Sequence, residues 1–116
     1  MDRMKKRIYI SGPISGHDLD ERRKVFEMAV VILEKIGFEP ANPIAEADRH
    51  PEDVTTHQHM HRDIALLLEC DAIFMMKGWT HSKGCKVEFD VATAIGVPVY
   101  FEEVFINSKV KLIKFE

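Results

Sequence analysis

Short continuous apolar runs and longer helical stripes alternate along the chain, and each change of pattern marks an element. Arg7 to Ser11 (RIYIS) is short, apolar and β-rich, and a Gly-Pro follows it, which predicts a first strand. Val25, Ala29, Ile32, Leu33 and Ile36 then recur at helical spacing. Asp18 and Glu21 stand ahead of them at capping-box spacing, and Gly37 stops the helix. Phe38 to Asn42 (FEPAN) reads as a short second strand, with Pro40 placing it at a sheet edge. Pro43 to Thr56 is polar and irregular. The next helix starts at about Pro51 or Thr55 and runs to Glu69, with Met60, Ile64, Leu67 and Leu68 as its core stripe. Asp71 to Met76 (DAIFMM) is a strand of the buried type. The loop KGWTHSKG then opens a third helix, with Ser82 as its N-cap, Val87, Val91, Ala94 and Ile95 as its apolar face and Gly96 as its stop. Val97 to Phe101 is a fourth strand. In the tail, Val110, Leu112 and Phe115 fit a short strand and a helical arm equally.

This β-α-β-α-β-α-β order implies an α/β fold with a mostly parallel sheet, helices on both faces and right-handed crossovers. Such sheets bind ligands at the carboxyl ends of their strands, where the winding direction switches. With the first and third strands as neighbours, the loops SGPISG and GWTHSKG meet at that crevice.

Composition narrows the function classes. A chain of 116 residues, 46% hydrophobic and 30% charged, suits one domain with one core. A net charge of −3 argues against a nucleic acid polymer or a membrane surface as partner. No apolar run reaches the length of a membrane span, and MDRMKKRIYI carries positive charge without a signal-peptide apolar region. Cys70 and Cys85 read as two reduced cysteines, so the expected location is the cytoplasm. A domain this small has little room for a deep private pocket, which suits a site completed by a second subunit.

Several residues are candidates for chemistry. Glu88 lies in the first two turns of the third helix, where the helix dipole favours a charged carboxylate, and Gly84 leaves space one turn earlier. It reads as a nucleophile or general base on a cleft floor, or as a surface Glu at a helix start. Asp63 sits about 80–100° from the core stripe of its helix, so it fits a carboxylate at the rim of the core or a solvated one. Tyr9 is a core aromatic or a hydroxyl that orients a carboxylate, and Trp79 stacks on a base or caps the core. Ser11, Gly12, Ser15 and Gly16 let backbone N–H groups approach an anion, or simply make a strand-to-helix turn. Their spacing is neither a dinucleotide fingerprint nor a Walker loop. His57 and His61, with His59 between them, have metal-pair spacing. They share the Met60, Ile64 and Leu68 face, however, and no HExxH pattern or cysteine cluster completes a site. Incidental histidines are the preferred reading, with one still able to touch a phosphate.

YISGPISG, the Asn42-Pro43 pair and the block HRDIALLLECDAI–GW–S–G–E–A–IGVPV together resemble the small DUF4406-type proteins. These look like members of the nucleoside 2-deoxyribosyltransferase superfamily, which includes deoxynucleoside 5′-monophosphate N-glycosidases. The resemblance covers roughly residues 7–101, and Arg62 to Pro98 is its specific part. It implies a three-layer flavodoxin- or Rossmann-like sandwich of four to five strands, with one domain over 1–116 and a tail, 102–116, at a subunit interface. It implies that Glu88 attacks the sugar C1′ and forms a glycosyl ester. Asp63 handles the proton of the departing base, and Tyr9 orients the glutamate. Ser82 is six residues before Glu88, where transferases tend to carry Asp and the monophosphate hydrolases carry Ser near the phosphate. With the first loop and Gly84, this tilts the substrate towards a nucleoside 5′-monophosphate. Related enzymes complete their sites from a neighbouring subunit's C-terminal part, for which Asn107 and Ser108 are the polar candidates. The first loop lacks an Arg seen in hydrolase relatives, and His17 and Lys83 stand as substitutes. Cys85 occupies a position where the family often has Ala.

The expected function is therefore N-glycosidic cleavage or base transfer on a (deoxy)nucleotide by a homo-oligomer, with no cofactor and no metal. The alternatives are a non-catalytic nucleotide-binding or sensing module of the same fold, and a metal-dependent hydrolase built on the histidines.

Overall fold

The computed structural model describes residues 5–104 and 114–115. Strands β1 (Arg7–Ser11), β2 (Glu39–Ala41), β3 (Ala72–Met75) and β4 (Val99–Phe101) pair in parallel. A short β5 (Lys114–Phe115) runs antiparallel beside β4, and the order across the sheet is β2-β1-β3-β4-β5. Helices α1 (Leu19–Ile36), α2 (Pro43–Asp48), α3 (Thr56–Leu68) and α4 (Lys83–Ile95) make the crossovers. This is the Rossmann- or flavodoxin-like arrangement, with β2 and its Pro40 at an edge.

The period of two along β1 assigns its residues to opposite layers. Ile8 and Ile10 pack with Phe26, Ala29 and Leu33 of α1 and with Phe74 of β3. Tyr9 packs on the other face, with Leu67 of α3, Cys85 and Ala92 of α4, and Ile73 and Met75 of β3. Both faces are covered, which is why β1 and β3 are apolar almost throughout. Among the described residues no helix is long and apolar enough to cross a membrane.

Helix boundaries follow local chemistry. Asp18 accepts from the Glu21 N–H, and Gly37 closes α1 in the left-handed conformation that glycine adopts without penalty. Thr55 opens α3 with a full capping box to Gln58, which settles the start between Pro51 and Thr55.

The structure departs from the pattern in three places. The stretch expected to be irregular contains α2, because the Asn42 carboxamide oxygen accepts from the N–H groups of Ile44 (3.0 Å) and Ala45 (3.4 Å), Pro43 is preset for the first turn and Ile44 is buried. The inward face of α4 is Cys85, Glu88 and Ala92, whereas Val87 and Ile95 are 42% and 47% exposed. Small side chains let that face approach the sheet, and bonds from β1 to Glu88 fix its rotation. Leu68 is likewise exposed, whereas Leu67 of the same expected stripe is buried.

Candidate active site

Tyr9 and Ser11 are two positions apart on β1 and so point to the same face, the one that α4 crosses. The Tyr9 hydroxyl donates to Glu88 Oε2 at 2.7 Å, and the Ser11 hydroxyl donates to Oε1 at 2.6 Å. Each carboxylate oxygen thus holds a donor, and the Glu88 residue is only 6% exposed. Burial pushes the Glu88 carboxyl upward, while the bonds from Ser11 and Tyr9 pull it back. The Tyr9 phenol is raised well above its ordinary range, first by burial and then by the charge of Glu88, so it remains a donor.

Asp63 of α3 shares the cavity with Glu88. Its carboxyl is pushed up to about 7, by burial first and by the negative charge of Glu88 second, against an opposing pull from Arg62. Near neutral pH Asp63 thus retains a proton for part of the time, while the Tyr9 and Ser11 hydroxyls donate to the Glu88 carboxylate. Paired carboxyls in unlike environments are how one site provides both an acid and a nucleophile.

The two carboxyls lie in a cavity of about 620 Å³, a small-molecule size. It opens at the carboxyl ends of β1 and β3, between the loop after β1 and the loop before α4, where the strand order switches. Its walls carry His17, Arg22, His59, Lys77, His81 and Lys83, a basic lining in a chain of net charge −3. Ser82 caps α4 by accepting from the Cys85 N–H at 3.2 Å, which leaves its own hydroxyl proton to donate. The first N–H groups of α4 lack partners within the helix. Together these features suit an anionic group near Ser82, Lys83 and Gly84, all of which line the cavity.

The other candidates take varied places. Gly12 and Ser15 line the cavity. A Cβ on Gly12 would stand 2.7 Å from Met76 Sδ and 3.0 Å from Phe26 Cζ, so close packing alone demands glycine there. Gly16 adopts a positive φ of 82° and is not part of the cavity wall. Trp79 also lies outside the wall, stacked on Phe89 with centroids 4.8 Å apart and tilted against Phe101. His59 is a wall residue, whereas His57 and His61 are exposed and away from it. Among the described residues no group of three or more His, Cys, Asp or Glu could hold a metal ion. Asn107 and Ser108 lie outside the described residues.

Arg22 escaped the pattern. Its Nε donates to the Pro13 carbonyl at 2.6 Å and its guanidinium lies 5.7 Å from the Phe26 ring centroid, so it braces the loop while facing the cavity. A signal was present, since a cation this close to a helix N-terminus opposes the dipole and needs another reason to be there.

No curated protein matches this chain. Among solved structures it resembles the CMP N-glycosidase of Clostridium botulinum, with a TM-score of 0.55 and 23% identity over 83% of this chain and 67% of that one, a likeness of fold. The model of the domain of unknown function DUF4406 matches residues 6–101, and the chain belongs to that family.

Proposed function

We propose that this protein cleaves the N-glycosidic bond of a nucleoside 5′-monophosphate, through a covalent ester on Glu88. The observation that carries the reading is the buried Glu88 carboxylate, gripped by Tyr9 and Ser11, with the proton-holding Asp63 in the same cavity. A Glu88 oxygen attacks C1′ while the bond from C1′ to the base nitrogen breaks, its electron pair leaving with the base. Asp63 gives its proton to that nitrogen. Water then attacks C1′, its proton passes to the Asp63 carboxylate, and the ester bond breaks to restore Glu88. The products are free base and the sugar 5-phosphate; a second base in place of water gives transfer instead. The chain's own groups suffice for these steps.

The basic lining and Ser82 support a phosphate on the substrate. The structural neighbour named for CMP makes a pyrimidine monophosphate the first substrate to try. The resemblance to the deoxyribosyltransferase superfamily further implies a homo-oligomer, which the protein's mass in solution would check. The test of function is a panel of nucleosides and 5′-monophosphates, ribo and deoxy, with free base measured by chromatography. Base release from a monophosphate is the expected result. Binding without release from any member would leave only a nucleotide-binding module.

A further inference from the structure

Arg62 immediately precedes Asp63 on α3, yet its guanidinium is committed elsewhere. Its Nε donates to Asp53 Oδ2, and its Nη2 lies 3.8 Å from Glu52 Oε2. The Asp53 side chain is 11% exposed and that of Arg62 33%, so the pair lies at the surface with its acid partly sheltered. Glu52 also bonds His50 Nδ1 at 3.1 Å, and His50 Nε2 lies 3.3 Å from Glu46 Oε2. The loop between α2 and α3 thus offers Arg62 two acids, Glu52 and Asp53, while Glu46 of α2 pairs with Arg49 and His50. From other elements Asp63 faces Glu88 of α4 and the Tyr9 phenol of β1, and it shares the cavity with His17, Arg22, His59, Lys77, His81 and Lys83.

Adjacent positions on a helix point about 100° apart, yet the Arg62 charge already pulls the Asp63 carboxyl downward, and a guanidinium freed from Asp53 to swing nearer would pull it further. We propose that Asp53 is a positioning residue: by holding Arg62 against the loop before α3, it keeps that guanidinium off Asp63 and preserves Asp63 as the proton donor of the site. The donor role rests on the function proposed above, but control of Asp63 by Asp53 is measurable without turnover. The arrangement is self-consistent. Hydrogen bonding from Arg62 holds the Asp53 carboxyl below its ordinary range, so Asp53 remains a charged partner where Asp63 titrates.

The test is an NMR titration of protein labelled with 13C in its aspartate carboxyls, without substrate, with the Asp63 signal assigned by its loss in Asp63→Asn. The wild-type midpoint should lie near 7. Asp53→Asn should lower it by about half a pH unit or more, and Asp53→Ala should lower it at least as far. Arg62→Gln should raise it, and the Asp53→Asn/Arg62→Gln pair should behave as Arg62→Gln does, because Asp53 acts through Arg62. An unchanged midpoint in both Asp53 variants overturns the assignment, as does a double variant that keeps the full downward shift. Protein with these shifts but no base release would overturn the proposed function and leave the role of Asp53 standing.

Discussion

Glu88 holds one donated hydrogen bond on each carboxylate oxygen, so the loss of either donor leaves a buried charge half supported. A bond to a charged group contributes about 1.5–3 kcal/mol. Tyr9→Phe and Ser11→Ala should therefore each slow base release by about 10- to 100-fold with little change in KM, as steady-state kinetics would read. Asp63 carries a stability consequence as well. Its folded carboxyl is raised to about 7, above the ordinary value of about 3.9, so as pH rises the unfolded chain gives up this proton first. Stability attached to Asp63 is present below about pH 4 and is lost as pH climbs to about 7. Asp63→Asn should be more stable than wild type at pH 8 by on the order of 1–3 kcal/mol, and nearly equal to it at pH 4, in denaturant titrations. The same substitution should cost about 10²- to 10⁴-fold in base release, the usual range for a general acid.

At the scale of elements, α4 brings its carboxylate to the sheet by turning Cys85 and Ala92 inward beside it and leaving Val87 and Ile95 outside. This is where pattern reading failed. Of the apolar stripe that periodicity selects, Val91 packs against the core, but Val87, Ala94 and Ile95 are exposed, and Cys85, Glu88 and Ala92 face the sheet. A hydrophobic scale ranks Glu88 as a surface residue, and only the two donors on β1 make it an inside one. The donors are half legible in the sequence: Tyr9 fits a core aromatic or a partner for the carboxylate, whereas Ser11, of the same parity on β1, falls with the loop. Helix α2 is hidden because a helix of fewer than two turns shows no period, although Asn42-Pro43 is a capping signature. Gly12 gives this scale its own test. Gly12→Ala forces a Cβ against Met76 and Phe26 and should destabilise the protein by about 1–3 kcal/mol, measured as a lower denaturation midpoint.

For the whole molecule, the order β2-β1-β3-β4 sets the switch between β1 and β3, so the loops that follow those two strands face each other across one cavity. The alternation of strands and helices makes that convergence readable in the sequence. The charge distribution is not readable in the sequence, because a net −3 averages over a cavity whose lysine, arginine and histidine side chains come from separate segments: the loop after β1, α1, α3, the approach to α4 and its start. On the proposed function, the basic walls would hold the anionic end of a ligand and the two carboxyls would act on its sugar bond. The measurement that tests this most directly is base release by wild type and by Glu88→Gln, on whichever 5′-monophosphate the panel identifies, with both proteins verified as folded. Loss of at least about 10³-fold in kcat for Glu88→Gln is the expected result; release within a few-fold of wild type would contradict a role for Glu88 as the attacking group.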